Sequence, residues 1–155
     1  MRALKLFRAI LFSLIISAMG SVALANADPV YTSRFSDLAV GGYDPVAYFT
    51  NGEPTKGSAE IITNYMGAIW RFSSQENAQL FLADPGKYAP QYGGYCSWAA
   101  AAGYTASGDP KRWNIVDGKL YLNYNGRIQK RWVKDIPGFI EQANANWPDV
   151  VLNED

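Results

Sequence analysis

Histidine is absent from this chain of 155 residues, and cysteine occurs once, at Cys96. One chain therefore cannot form an intramolecular disulfide, a Ser/His or Cys/His nucleophile pair, or a zinc site of the Cys/His type. Charged residues make up only 18% of the chain, with 14 basic and 14 acidic side chains. No block of like charge indicates a membrane-surface or polyanion partner, and nucleic acid is not an expected partner of a chain without an excess of basic residues. Aromatic residues reach 14%, and we expect their packing to stabilise the fold.

The first 27 residues have the pattern of a secretory signal peptide. Three basic residues precede an apolar run over residues 9–19, and small residues follow up to Ala27. The apolar run is shorter than the roughly 20 residues that span a bilayer, which favours a cleaved signal over a membrane anchor. Cleavage would leave residues 28–155 as one domain with a net charge of 11 − 14 = −3, because three of the 14 basic residues are removed. We therefore expect a periplasmic or secreted protein that is not stably inserted in a membrane.

Two β-hairpins are predicted from β-prone runs on either side of short turns. Met66-Gly67 separates the first pair of runs, and Asp117-Gly118 separates the second. Asp-Gly is the stronger signal, because a type I′ turn needs a positive φ at both central residues. The predicted strands cover residues 61–65, 68–72, 113–116 and 119–124.

Several short helices are predicted between and after the hairpins. Ser73 and Glu76 have the spacing of a capping box, and Pro85 closes the helix that follows at about Asp84. No internal repeat is evident. The whole pattern predicts an α+β fold, a small single domain of short antiparallel hairpins packed with several short helices. The other predicted helices cover residues 95–102, 127–134 and 139–147. The segment 127–134 is basic and is interpreted as a solvent-exposed face, with contact to an acidic partner protein as a second interpretation.

Two stretches of the chain resemble the YHS domain. The first is Asp44-Pro45-Val46-Ala47-Tyr48-Phe49, and the second contains Tyr65, Gly67, Trp70, Phe72, Ser73, Phe81, Asp84, Pro85 and Tyr88. A longer pattern is similar to the exported bacterial YHS domain-containing proteins, and it continues through residues 92–96, 117–124 and 146–148.

The resemblance implies a role in metal handling, because YHS modules occur in copper-transporting ATPases and in some multicomponent monooxygenases. Cysteines are the residues thought to matter in those modules. Here the cysteine positions hold Ala47, Ser73 or Ser74, and Asn77, and the histidine position of the family holds Arg71. The resemblance therefore implies the fold but transfers no metal site to this chain.

Cys96 follows two glycines and precedes an alanine-rich run, which leaves two interpretations open. It is either a small buried thiol without reactivity, or a thiol in the first turn of a helix, where the helix dipole favours the thiolate. Cu(I) prefers thiolate and thioether ligands, and Met66 is the one thioether within residues 28–155. Copper handling through Cys96, with a second copy of the chain to complete the ligands, is one alternative function. A thiol-dependent redox or enzymatic role is another.

Aromatic side chains near Cys96 indicate either a ligand site or part of the core. Pockets lined by such rings bind sugars, flavins and hydrophobic small molecules. No residue pattern indicates catalysis, so no catalytic residue is assigned. We interpret the chain as a non-catalytic module that binds a small ligand or a partner protein, with copper as the one candidate cofactor. The candidate binding residues are Cys96, Tyr92, Tyr95, Trp98, Tyr43 and Asp44, and Cys96 is also the candidate metal ligand.

Overall fold

The computed structural model describes residues 27–152, so all but the last residue of the predicted signal peptide lies outside the described part of the chain. The predicted α+β fold is confirmed. None of the helices in residues 27–152 is both long and apolar enough to cross a membrane. The elements in chain order are a 3₁₀ turn at Ala39–Gly42, α1 at Ala47–Thr50, β1 at Ser58–Tyr65, β2 at Ala68–Phe72, α2 at Gln75–Ala83, α3 at Pro85–Tyr88, a 3₁₀ turn at Gln91–Gly94, α4 at Ser97–Ala101, β3 at Asp109–Val116, β4 at Lys119–Asn123, α5 at Gly126–Trp132 and α6 at Ile136–Leu152.

Both predicted hairpins are present as separate two-stranded antiparallel sheets. β1 pairs with β2 around Met66-Gly67, and β3 pairs with β4 around Asp117-Gly118. The backbone φ angles of these four turn residues are 48°, 77°, 50° and 72° in chain order, as type I′ turns require. β1 and β3 begin earlier than predicted, because each continues through a bulge that the alternation of side chains does not reveal.

The N-terminal cap of α2 differs from the prediction by one residue. Ser74 is the cap, and its Oγ accepts a hydrogen bond from Asn77 N at 3.1 Å. The predicted cap at Ser73 is wrong, because the Ser73 hydroxyl donates instead to the carboxylate of Asp44 at 2.7 Å. Tertiary contacts therefore decide which of two adjacent serines caps the helix.

The other predicted helices are present with shifted ends. α4 begins at residue 97 rather than 95, because the backbone before it is extended at Cys96, with φ −62° and ψ 118°. α5 nearly matches the predicted basic segment. α6 begins at Ile136 rather than at residue 139. Pro137 is tolerated there, because a proline in the first helical turn has no N–H that the helix would need.

The fold contains two copies of one structural unit. Unit 1 spans residues 39–88, and unit 2 spans residues 91–139. Each unit consists of a 3₁₀ turn, a short helix, a hairpin with strands of eight and five residues, and two further helix starts. The expectation that the chain has no internal repeat is therefore wrong for the structure.

The two hairpins correspond residue by residue. β1 begins at Ser58 and β3 at Asp109, and these numbers differ by 51. The register of the first hairpin shifts between Ser58 and Ile62, and that of the second shifts between Asp109 and Trp113. The same bulge therefore occurs at the same place in both units.

The ring contacts behind the hairpins correspond as well. Trp70 packs against Phe81 with ring centroids 4.9 Å apart, and Tyr121 packs against Trp132 at 5.5 Å. Both members of the second pair again lie 51 residues after those of the first. Leu122 of β4 is buried in the same hydrophobic cluster as Trp70, which joins the two units.

Close backbone approaches and helix caps repeat with the same spacing. A Cβ atom added to Gly57 would collide with Arg71, and one added to Gly108 would collide with Leu122. Only glycine therefore allows the chain to pass the hairpin at these two equivalent positions. At the first pair of equivalent caps, Ser74 Oγ accepts from Asn77 N and Asn125 Oδ1 accepts from Ile128 N. At the second pair, Asp84 Oδ1 accepts from Lys87 N and Asp135 Oδ1 accepts from Gly138 N.

Each unit begins with a strained 3₁₀ turn. Val40 has φ 52° and ψ 28°, and Tyr92 has φ 54° and ψ 38°. This left-handed region is rare for residues other than glycine, and it is least favourable for a β-branched residue such as valine. Both residues precede Gly-Gly-Tyr, and their numbers differ by 52 rather than 51. The spacing between equivalent residues changes from 52 to 51 in the loop between the short helix and the hairpin, so no single spacing relates the two units.

Candidate ligand sites

Asp44 lies at the centre of unit 1, and its side chain is fully buried. Its Oδ1 accepts hydrogen bonds from the backbone N–H groups of Val46 at 2.9 Å and Ala47 at 3.3 Å. Its Oδ2 accepts from Ser73 N at 2.8 Å, from Ser73 Oγ at 2.7 Å and from Asn77 Nδ2 at 2.7 Å. A carboxylate has about four lone-pair sites, so five donors leave no acceptor capacity for a ligand. Asp44 thus joins the start of α1 to the start of α2.

The positions that the resemblance relates to metal ligands surround this carboxylate. Ala47, Ser73 and Asn77 each donate a hydrogen bond to Asp44. None of the three provides a thiolate or imidazole, and the guanidinium of Arg71 offers donors but no acceptor for a metal ion. Residues 27–152 contain no group of three or more His, Cys, Asp or Glu side chains that could hold a metal ion. The residues present therefore do not fit the metal that the resemblance implies.

Cys96 occupies the equivalent position in unit 2, 52 residues after Asp44. Its side chain is 1% exposed, and its Sγ donates to Asn123 Oδ1 at 3.8 Å. It is the residue before the first turn of α4, not a member of that turn as predicted. Because α4 has only five residues, its dipole gives the thiol little electrostatic support.

A small cavity, here named the Cys96 pocket, adjoins the thiol and measures about 180 Å³. Trp98 and Tyr104 form part of its wall, with ring centroids 6.5 Å apart in an edge-on arrangement. Tyr104 is 48% exposed and Tyr124 is 51% exposed, so these two rings form its solvent side. All the side chains that line the pocket are uncharged, and they are Cys96, Trp98, Ala99, Tyr104, Ala106, Tyr124 and Ile128.

Tyr92 lines a different cavity, here named the Tyr92 groove, which measures about 360 Å³. The Tyr92 hydroxyl donates to Asn144 Oδ1 at 2.9 Å, and its ring contacts Trp147 with centroids 5.7 Å apart. Burial raises the pKa of Tyr92 above its ordinary value, so this hydroxyl remains a donor. The groove is lined by Pro29, Val30, Tyr65, Met66, Trp70, Gly86, Ala89, Pro90, Gln91, Tyr92, Gly93, Asn144 and Trp147.

The aromatic residues that lie together in the sequence are therefore separated in the structure. Trp98 lines the Cys96 pocket, whereas Tyr92 lines the groove. Tyr95 packs between Tyr31, at 5.2 Å, and Trp147, at 5.6 Å, and burial raises its pKa. Tyr43, also a candidate binding residue, packs against the buried cluster of unit 1.

Several residues of the groove were not candidates from the sequence. Gln91 adjoins Tyr92, but Asn144 and Trp147 lie about 50 residues further along the chain on α6. Their spacing of three residues places both on one face of a helix, which is the only local signal they carry. Nothing in the sequence indicates that this face meets the turn before α4.

The comparison with family models decides the identity of unit 1. Residues 46–92 match the model of the YHS domain. The chain contains a YHS domain. The match covers unit 1 from α1 to α3, and it includes every donor to Asp44. No curated protein and no solved structure matches the chain.

Proposed function

We propose that this YHS-domain protein is an exported, non-catalytic binding module whose ligand is an uncharged ring compound held in the Tyr92 groove. The observation that carries the proposal is the groove itself, a cavity of about 360 Å³ with aromatic walls and no charged side chain. Small-molecule sites of proteins typically measure about 300–1,000 Å³ and combine apolar walls with a few polar groups. The signal-peptide pattern of residues 1–27 supports export to the periplasm or beyond the cell.

The position of the groove supports a ligand site. Tyr65 and Met66 come from the hairpin of unit 1, Gln91 and Tyr92 come from the turn of unit 2, and Trp147 comes from α6. Binding sites occur preferentially where structural units meet, because the walls come from separate elements. Met66 is 53% exposed, and its flexible thioether can adjust to a ring placed against it.

The polar groups of the groove suit a neutral ligand. The hydrogen bond from the Tyr92 hydroxyl to Asn144 Oδ1 fixes the orientation of the side-chain amide of Asn144. Gln91 contributes a second amide to the lining. Amides donate to and accept from hydroxyl or carbonyl groups but do not neutralise a charge, and a charged ligand would lose hydration without compensation. Saccharides and flat heteroaromatic compounds both have a ring face that can stack on the aromatic walls and a polar edge that can hydrogen-bond to the two amides.

Amide NMR tests the proposal with maltose as the saccharide probe and indole as the aromatic probe. We expect one of the two probes to shift the side-chain NH₂ signals of Gln91 and Asn144 in a saturable manner, while that of Asn51 stays in place. Trp147→Phe should weaken the binding at least several-fold, and Trp98→Phe, outside the groove, should not. The absence of saturable shifts at Gln91 and Asn144 with both probes would refute the groove as the site.

A further inference from the structure

We infer that unit 2 carries a second ligand site, the Cys96 pocket, and that this site takes a small, uncharged aromatic molecule of about the size of benzene. This inference is independent of the Tyr92 groove, because the two cavities share no lining residue.

The first step is the equivalence of two cavities. In unit 1, Ser73 and Asn77 line a cavity beside the Asp44 centre. The residues 51 positions later are Tyr124 and Ile128, and both line the Cys96 pocket. The repeated architecture therefore leaves an opening at the same place in each unit, between the short helix and the start of the helix after the hairpin.

The second step is the change of chemistry between the two centres. In unit 1 the carboxylate of Asp44 and its donors fill the centre with hydrogen bonds. In unit 2 the equivalent positions hold a thiol, a tyrosine ring and an isoleucine, at Cys96, Tyr124 and Ile128. These side chains cannot form such a network, and a cavity of about 180 Å³ with largely apolar walls remains.

A buried polar group lies behind the thiol. Asn123 is fully buried, and its carboxamide contacts Cys96 Sγ through Oδ1. Its Nδ2 has no hydrogen-bond partner in the described part of the chain. Native proteins rarely leave a buried donor unpaired, so the polar contacts behind the thiol are incompletely satisfied within the described residues.

The size and the lining of the pocket identify the class of ligand. An apolar cavity of about 150 Å³ in another protein binds benzene, so a volume of about 180 Å³ admits one six-membered ring with a small substituent. Trp98 and Tyr104 offer ring edges and faces for contact with that ring. No lining side chain is charged, so an ionised ligand would be desolvated without a counter-charge.

Methyl NMR of the full-length mature protein tests the site with phenol and benzoate as a matched neutral and charged pair. We expect phenol to shift the methyl signals of Ile128 and Ala99 in a saturable manner, and benzoate to bind at least tenfold more weakly. Ile128→Trp fills the pocket and should abolish the phenol-induced shift at Ala99. Ile115→Trp, at an exposed position of β3 outside the pocket, is the control and should leave it unchanged. Shifts at Gln91 and Asn144 report the groove separately, so the two sites can fail independently.

A second measurement needs no substitution. Methyl methanethiosulfonate reacts with a thiolate to form a mixed disulfide and releases methanesulfinate, so it reports access to Cys96. Saturating phenol should slow this reaction at least fivefold in the native protein, because the ring occupies the space in front of Sγ. The inference is overturned if phenol neither shifts the two methyl signals nor slows the reaction, or if benzoate binds as tightly as phenol.

Discussion

Asp44→Asn removes the negative charge from the centre of the YHS unit with almost no change in volume. The carboxylate accepts three hydrogen bonds at Oδ2, two from Ser73 and one from Asn77. An asparagine placed with Oδ1 towards α1 would direct its own NH₂ group at these three donors. Hydrogen bonds to a charged group contribute about 1.5–3 kcal/mol each, so the three together contribute about 4.5–9 kcal/mol.

The net loss is smaller, because the buried carboxylate also carries a desolvation penalty of several kcal/mol that the variant no longer has. We therefore expect Asp44→Asn to lower the free energy of unfolding by about 3–5 kcal/mol, a large part of the roughly 5–15 kcal/mol of an ordinary domain. Ser73→Ala removes the bond from the hydroxyl to Asp44 and the long bond of 3.4 Å that Oγ accepts from Asn77 Nδ2, and it should cost about 1.5–3 kcal/mol. Asp37→Asn, at an exposed aspartate, is the matched control and should change stability by less than about 0.5 kcal/mol.

Urea unfolding followed by tryptophan fluorescence measures these differences, with unchanged m-values showing that the unfolding reaction is the same. The order of stability should be wild type and Asp37→Asn, then Ser73→Ala, then Asp44→Asn. An Asp44→Asn variant as stable as Ser73→Ala or more stable would refute the reasoning, because the carboxylate would then not be the acceptor that organises the unit. If Asp44→Asn does not fold at all, the Ser73→Ala value still tests the strength of a single bond.

Two further predictions concern pH and export. Burial raises the pKa of Tyr48 and of Tyr92, so both stay protonated in the folded protein at pH values where they ionise in the unfolded chain, which occurs near 10. The stability that these groups contribute is complete below pH 10, and above it each tyrosine loses about 1.4 kcal/mol per pH unit. Urea unfolding between pH 9 and 11 should therefore show a shallower loss of stability for Tyr48→Phe than for the wild type. Mass spectrometry of the protein recovered from the periplasm should give an N-terminus at Asp28, and an intact Met1 there would contradict the signal-peptide prediction. Copper bound stoichiometrically to the same preparation would favour metal handling through Cys96 over the binding module.

The sequence predicted the elements whose signals are local. The turns at Met66-Gly67 and Asp117-Gly118 identified both hairpins, since positive φ at two successive residues restricts the residue types that fit. Ser73 and Ser74 carry equal local signals for a cap, and only the distant carboxylate of Asp44 decides between them. The sequence analysis missed the repeat, because the residues that its two units share are few and scattered, such as Gly-Gly-Tyr at residues 41–43 and 93–95 and the glycines at Gly57 and Gly108.

The sequence predicted which types of residue line the candidate sites, but it did not predict which of them lie together. Cys96 and Trp98 do line one cavity, but Tyr92, only four residues earlier in the chain, lines another. The left-handed backbone conformation at Tyr92 changes the direction of the chain between Tyr92 and Cys96. The residue types alone do not predict that conformation. Trp147 and Asn144 reach the groove only because α6 packs across α4, a contact of elements far apart in the sequence.

The two units show how one backbone supports different centres. In unit 1, five hydrogen bonds saturate the carboxylate of Asp44, so this side chain stabilises the fold and has no acceptor capacity left for a ligand. Unit 2 has the same turn, bulge and caps but lacks the carboxylate, so its fold depends on ring packing between Tyr121 and Trp132 rather than on a polar centre. A Cys96→Asp exchange would place the carboxylate of unit 1 in unit 2 without its two side-chain donors. Because Tyr124 and Ile128 cannot supply the side-chain hydrogen bonds of Ser73 and Asn77, that exchange should destabilise the protein. The residues around each centre, and not the shared backbone, therefore decide whether a centre is held together by a carboxylate.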